Sequence, residues 1–213
     1  MRGSAPRITP RPRCPFWSVV LISQAVCSAL AEALASDPFY QAVTPDAATH
    51  AERLQQLESY ARLAIDEALG TGEVCVADPD GIAIWHTLRG SAERRQALAD
   101  TRSRALQQLL SAQGYDNYVR ICENMNRQLP ADLQDSWYLS ILGVRPGAQG
   151  QGLGRRLLAA TLARADRQGA GTYLETFNPE SLPFYRKLGF SQEICLDEAV
   201  TRSTYWLLSR PPG

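Results

Sequence analysis

The stretch WYLSILGVRPGAQGQGLGRR, Trp137 to Arg156, decides the fold. Residues Trp137 to Val144 are aromatic and branched enough to read as a buried strand. Pro146-Gly147 then makes a turn, and Gly150, Gly152 and Gly154 lead into a helix expected over 152–167. Gln168-Gly169-Ala170-Gly171 closes that helix. A strand running through glycines into a helix makes an anion site, because first-turn N–H groups lack helical partners and the helix dipole favours negative charge. The P-loop is excluded, since Arg155-Arg156 stands where a Lys-Ser/Thr pair is required. A dinucleotide fingerprint would need glycine at position 155, although Glu175, 21 residues after Gly154, suits a ribose-binding acid. A third pattern, Q/R-x-x-G-x-G/A, is met by Gln149 to Gly154. A glycine-rich helix start with no ligand remains the purely structural alternative.

Outward from this stretch, strands and helices alternate. Residues 49–69 repeat Leu54, Leu57, Ala61, Ile65 and Ala68 at helical spacing. Residues 73–77 and 81–86 are apolar runs around Asp78-Pro79-Asp80, a hairpin. Helices are expected over 91–112 and 115–127, the second stopping before Leu129-Pro130. Downstream come a strand over 173–176, a short helix from near Leu182 to Leu188, and strands over 190–196 and 203–208. The fold class is α/β (α+β), with one domain over 16–213 behind a basic tail, 1–15, expected to be disordered. A strand over 17–22 and a helix over 25–35 complete the expectation.

Composition narrows the function. The chain has 213 residues, with 22 Lys+Arg against 22 Asp+Glu, so its formal charge is zero. Neutrality argues against a general nucleic-acid partner, which needs a cationic excess. The charge is unevenly spread: +4 over 1–22, −5 over 23–70 and +4 over 145–170. The five cysteines form no C-x-x-C pair, and His50 and His86 stand far apart, so no metal site is expected. Arg2, Arg7, Arg11 and Arg13 before the apolar run Phe16 to Ile22 outline a secretory leader. Gln24 and Cys27 interrupt that run, and cleavage near Ala35 would remove the first strand and helix. The expected location is therefore cytoplasmic, with no membrane partner.

The third pattern carries a resemblance. Gln149 to Gly154, the preceding Leu142-Gly143-Val144-Arg145-Pro146, and two later blocks resemble the GCN5-related N-acetyltransferase (GNAT) superfamily. The later blocks are Leu174-Glu175-Thr176-Phe177-Asn178 and Phe184-Tyr185-Arg186-Lys187-Leu188-Gly189-Phe190. Within the superfamily these segments look closest to puromycin N-acetyltransferase-like members. The resemblance implies a mixed, mostly antiparallel central sheet flanked by helices. It implies acetyl-CoA (coenzyme A) as co-substrate and a small-molecule primary amine, antibiotic- or aminonucleoside-like, as acceptor. It also implies a strand that splays from its neighbour, so that Leu142, Gly143 and Val144 pair with pantetheine. Gln149, Gly150, Gln151, Gly152, Leu153, Gly154 and Arg155 would wrap the pyrophosphate. Arg145, Arg155 and Arg156 supply local positive charge, and Asn178, with Ser181, would hold pantetheine.

Acetyl transfer makes three chemical demands. An alkyl amine near pKa 10 is more than about 99% protonated at pH 7 and must lose a proton to attack. The thioester carbonyl gains negative charge, so an N–H must point at it; the strand end near Val144 is the candidate. The departing thiolate needs a proton. Tyr185 matches the family's general acid, and Glu175 a position where several relatives place the base. Packed-aromatic and solvated-carboxylate roles are the structural alternatives. Phe39, Tyr40, Trp85, Tyr115 and Tyr118 are candidates for the acceptor pocket, with core packing the commoner fate of such residues. The competing functions are a protein N-terminal or lysine acetyltransferase and a non-catalytic CoA-binding regulatory module.

Overall fold

A computed structural model of the chain describes residues 22–213. The basic tail, 1–15, and all but the last residue of the expected strand over 17–22 lie outside the described residues. Thirteen elements follow in the order α1 (Gln24–Leu34), α2 (Pro38–Val43), α3 (His50–Thr71), β1 (Gly72–Ala77), β2 (Gly81–His86), α4 (Ala92–Leu109), α5 (Ala112–Gln128), β3 (Trp137–Val144), α6 (Leu153–Gln168), β4 (Thr172–Thr176), α7 (Leu182–Arg186), β5 (Gln192–Glu198) and β6 (Ser203–Arg210). Polar caps set the helix starts. Thr49 and Glu52 close a reciprocal capping box on α3, and Ser91 and Ser111 cap α4 and α5. Gly169, with φ of 63°, ends α6. No helix among the described residues is long and apolar enough to cross a membrane.

The six strands form one sheet in the order β1-β2-β3-β4-β6-β5. Only the β3–β4 pair is parallel; the other pairs are antiparallel. Helices cover both faces. Ile82 and Ile84 of β2 face a core built with α1, α3 and α4, whereas Ala83 and Trp85 face α6 and α7. Burial on both faces explains why β2 reads as an unbroken apolar run. A third cluster joins Ile121 and Met125 of α5 to Phe177 and Tyr205.

Two irregularities in β3 prepare the site. Ile84 pairs with Ile141 but Trp85 pairs with Leu139, so Ser140 is an extra residue in a β-bulge. The bulge reverses the side-chain phase. Trp137 and Leu139 pack toward α6, yet Ile141 packs toward α1 and α3. The parallel pairing with β4 also stops early, running only from Trp137–Thr172 to Leu139–Leu174. Beyond that point the strands part and a wedge opens between them.

Candidate active site

The wedge leads to the glycine loop. Gln149 folds back so that its Nε2 donates to the Val144 carbonyl at 3.0 Å, tying the loop to the strand end. Gly150 and Gly152 have φ of 77° and 74° with nothing within 4 Å of an added Cβ. Glycine is required there by backbone conformation, not by space. Gly152 caps α6 with no side-chain hydrogen bond, and the first turn carries no acid. That leaves a 16-residue helix with its N-terminal N–H groups open to an anion.

A cavity of about 950 Å³ spreads over this helix start. Of the residues expected to bind cofactor, Leu142, Val144, Gln149, Gly150, Gly152, Leu153, Gly154, Arg155 and Asn178 line it. Gly143 and Gln151 do not. Gly143 lies against α1, where an added Cβ would come within 2.3 Å of Leu30, and the Gln151 carbonyl accepts from Arg156. Arg145 also turns away, toward Glu32 and Asp80 at 3.5 Å each and the Ala25 carbonyl at 3.3 Å. The positive charge on the cavity wall comes instead from Arg155 and Lys187. Asn178 commits Oδ1 to the Glu180 N–H at 2.9 Å, and Ser181 donates to the Asn178 carbonyl at 2.7 Å.

A second cavity, about 410 Å³, lies between the sheet and helices α2 to α5. Glu175 of β4 lines it and accepts from the Tyr138 hydroxyl at 3.0 Å. Burial pushes the Glu175 carboxyl up to about 7, and the Tyr138 hydrogen bond pulls it back by favouring the charged form. Tyr138 stacks on Tyr173 with ring centroids 4.8 Å apart. Across the cavity Arg102 is held by Glu67 at 3.1 Å and by the Tyr60 hydroxyl at 2.9 Å, its guanidinium 5.1 Å from the Tyr60 ring. His86 is kept neutral by burial and pairs through Nδ1 with Thr71 at 2.7 Å. Phe39, Tyr40 and Tyr118 line this space, as expected of pocket aromatics. Trp85 is in the core facing α6, and Tyr115 packs against the helical core and pairs with Ser103.

The two cavities share Leu34, Asp37, Leu142, Thr176, Phe177 and Tyr185. Tyr185, on α7, packs edge-on against Phe184 and Phe190 at 5.0 and 5.8 Å. Burial, reinforced by the charge of Asp37, raises the affinity of its phenol for its proton, so Tyr185 stays a donor at neutral pH. The structure thus places both expected catalytic residues on the smaller cavity, with Tyr185 alone also on the glycine-loop cavity.

Residues 118–190, spanning β3, the glycine loop, α6, β4 and α7, match the model of the Acetyltransferase (GNAT) family. Over that segment, about a third of its length, the chain is similar to the GNAT family. A curated relative, mycothiol acetyltransferase of Streptomyces avermitilis, is 43% identical over 54 residues, which is 24% of this chain and 18% of the relative. The match therefore spans less than a fifth of that relative's length. Among solved structures, a Corynebacterium glutamicum protein described as histone acetyltransferase HPA2 and related acetyltransferase aligns at a TM-score of 0.58. It is 21% identical over 88% of this chain and 90% of its own. The polyamine N-acetyltransferase of Drosophila melanogaster aligns at 0.55, with 13% identity over 88% and 93%. At these identities the structural likeness establishes the GNAT fold.

Several residues that line these cavities carry little signal in the sequence. Asp37 carried the signal of an N-cap, Asp followed by Pro, and its carboxylate does cap α2. Tyr138 alternated correctly within a buried strand but offered no sign that it would meet Glu175. Arg102 and Glu67 sit on helices 35 positions apart in sequence, with nothing local to pair them. Lys187, the chain's single lysine, stood inside a quoted motif without a role.

Proposed function

We propose that this protein is an acetyl-CoA-dependent N-acetyltransferase that moves the acetyl group directly to the primary amine of a small molecule, of antibiotic or aminonucleoside type. One observation carries the reading: a cavity over a glycine-cradled helix start meets a carboxylate-bearing cavity at Tyr185. Acetyl-CoA suits the first cavity. Its pyrophosphate matches the uncapped α6 N-terminus flanked by Arg155 and Lys187, and its extended pantetheine matches the unpaired edge of β3 between Leu142 and Val144. When bound, it supplies the acetyl group already activated as a thioester.

The chain's own groups cover the remaining demands. Glu175, with a carboxyl near 7, is about half ionised at neutral pH and takes a proton from the acceptor's nitrogen, directly or through water. Tyr138 orients that carboxylate. Tyr185 holds its phenolic proton at Oη for the departing sulfur. The N–H groups at the end of β3 face the developing oxyanion. Asn178, its Oδ1 already used, offers amide donors to pantetheine. The Drosophila relative acts on polyamines by name, which supports a small-amine acceptor over a protein one.

Purified protein mixed with acetyl-CoA and a panel of primary amines should release free thiol in an amine-dependent way. Thiol release that needs a peptide amine would favour the protein-acetylating alternative. CoA binding with no release across the panel would point to the regulatory module.

A further inference from the structure

Glu175 lines only the acceptor cavity, yet transfer must occur where the two cavities meet. Of the residues shared by both, only Asp37 and Tyr185 titrate. Asp37 is fixed rather than free to rotate. Its Oδ1 accepts from the Phe39 N–H at 2.9 Å, and Pro38 sets the backbone that follows. The charged and titratable groups that face it are Tyr40 of α2 and Tyr185 of α7, both neutral phenols. Among the described residues, no ion pair joins Asp37 to a cation. Of the cations lining the two cavities, Arg102 is engaged by Glu67 and Tyr60, and Arg155 and Lys187 line the glycine-loop cavity alone. A partly buried carboxylate without a counter-ion is costly, and the cost is recovered when a cation arrives.

We propose that Asp37 receives the ammonium group of the acceptor at the junction of the two cavities, which selects amines that are cationic at neutral pH. The proposal rests on the acetyl-transfer reading only in naming the bound cation as the acceptor. Asp37 pairs with the nitrogen while it is still charged; Glu175 takes the proton afterwards. Aromatic amines of the aniline type, neutral at pH 7, gain nothing from this carboxylate and are expected to be poor acceptors. The aromatic wall of Phe39, Tyr40 and Tyr118 accommodates an apolar portion next to the ammonium.

The test is equilibrium binding of 2-phenylethylamine and its neutral counterpart 2-phenylethanol to the CoA-loaded full chain, measured by calorimetry. Wild type is expected to prefer the amine by about tenfold to a hundredfold, the range of a charge-assisted hydrogen bond. Asp37→Asn keeps a cap-competent side chain and removes the charge, and should bring the two ligands within about twofold. Asp37→Ser, which also caps, should do the same and guards against a folding defect in the first variant. No preference in wild type, a preference that survives both variants, or its loss in Glu175→Gln instead would overturn the proposal. A preference that depends on Asp37, with no thiol released from acetyl-CoA, would sink the transferase reading and leave the ammonium site standing.

Discussion

Glu175 is placed where burial works against its own charge, which suits the role of base proposed for it at neutral pH. Glu175→Gln is expected to lower kcat by about 10²- to 10⁴-fold, the usual worth of a positioned base, with CoA affinity unchanged. The pH dependence has a definite sign. The base works ionised, so kcat/KM in wild type should rise with pH through about 7 and level off above it. Tyr138→Phe removes the hydrogen bond that favours the ionised form, so the same limb should move to higher pH. A limb that stays in place in Tyr138→Phe would show that another group is being titrated. The sequence singles out Tyr185 and Glu175 as candidates because each stands in a contiguous motif. It does not single out Asp37, Tyr138 and Arg102 in this way, because their roles arise only from contacts across the fold.

The loop before α6 illustrates what glycine spacing encodes. Gly150 and Gly152 both occupy left-handed backbone, so Gly152→Ala should cost about 1–2 kcal/mol of stability by chemical denaturation. It should also weaken CoA binding, because the first-turn N–H groups lose their aim. Amine binding should be unaffected. Most elements were visible in local patterns: Thr49 announces α3, Asp78-Pro79-Asp80 the β1–β2 turn, and Gly169 the end of α6. Helix α2, Pro38–Val43, lies in the stretch after Asp37-Pro38 that reads as helical, but six residues are too few to display a period that would set its bounds. The bulge at Ser140 was also invisible. Trp137 to Val144 alternates as a regular strand would, and only pairing with β2 exposes the extra residue.

Across the whole molecule, the two cavities differ in their balance of charge. The basic stretch around residues 145–170 supplies the helix start and Arg155, while the acidic N-terminal half supplies Asp37 and Glu67. The glycine-loop cavity sets Asp37 and Glu180 against Arg155 and Lys187, whereas the smaller cavity sets three carboxylates, Asp37, Glu67 and Glu175, against Arg102. Arg102 and Glu67 pin α4 to α3 with side chains only 13% and 11% exposed. Removing one partner strands a buried charge, so Glu67→Gln should destabilise the fold by about 3–5 kcal/mol in urea unfolding. Glu193→Gln, which breaks the exposed pair with Arg186, should cost no more than about 1 kcal/mol. Amine-dependent release of thiol from acetyl-CoA, compared between wild type and Tyr185→Phe with CoA affinity measured alongside, tests the transfer site most directly. Steady release in wild type, about 10²- to 10⁴-fold slower in Tyr185→Phe at unchanged CoA affinity, is the predicted result. Equal rates in the two proteins, or no amine-dependent release by wild type, would contradict it.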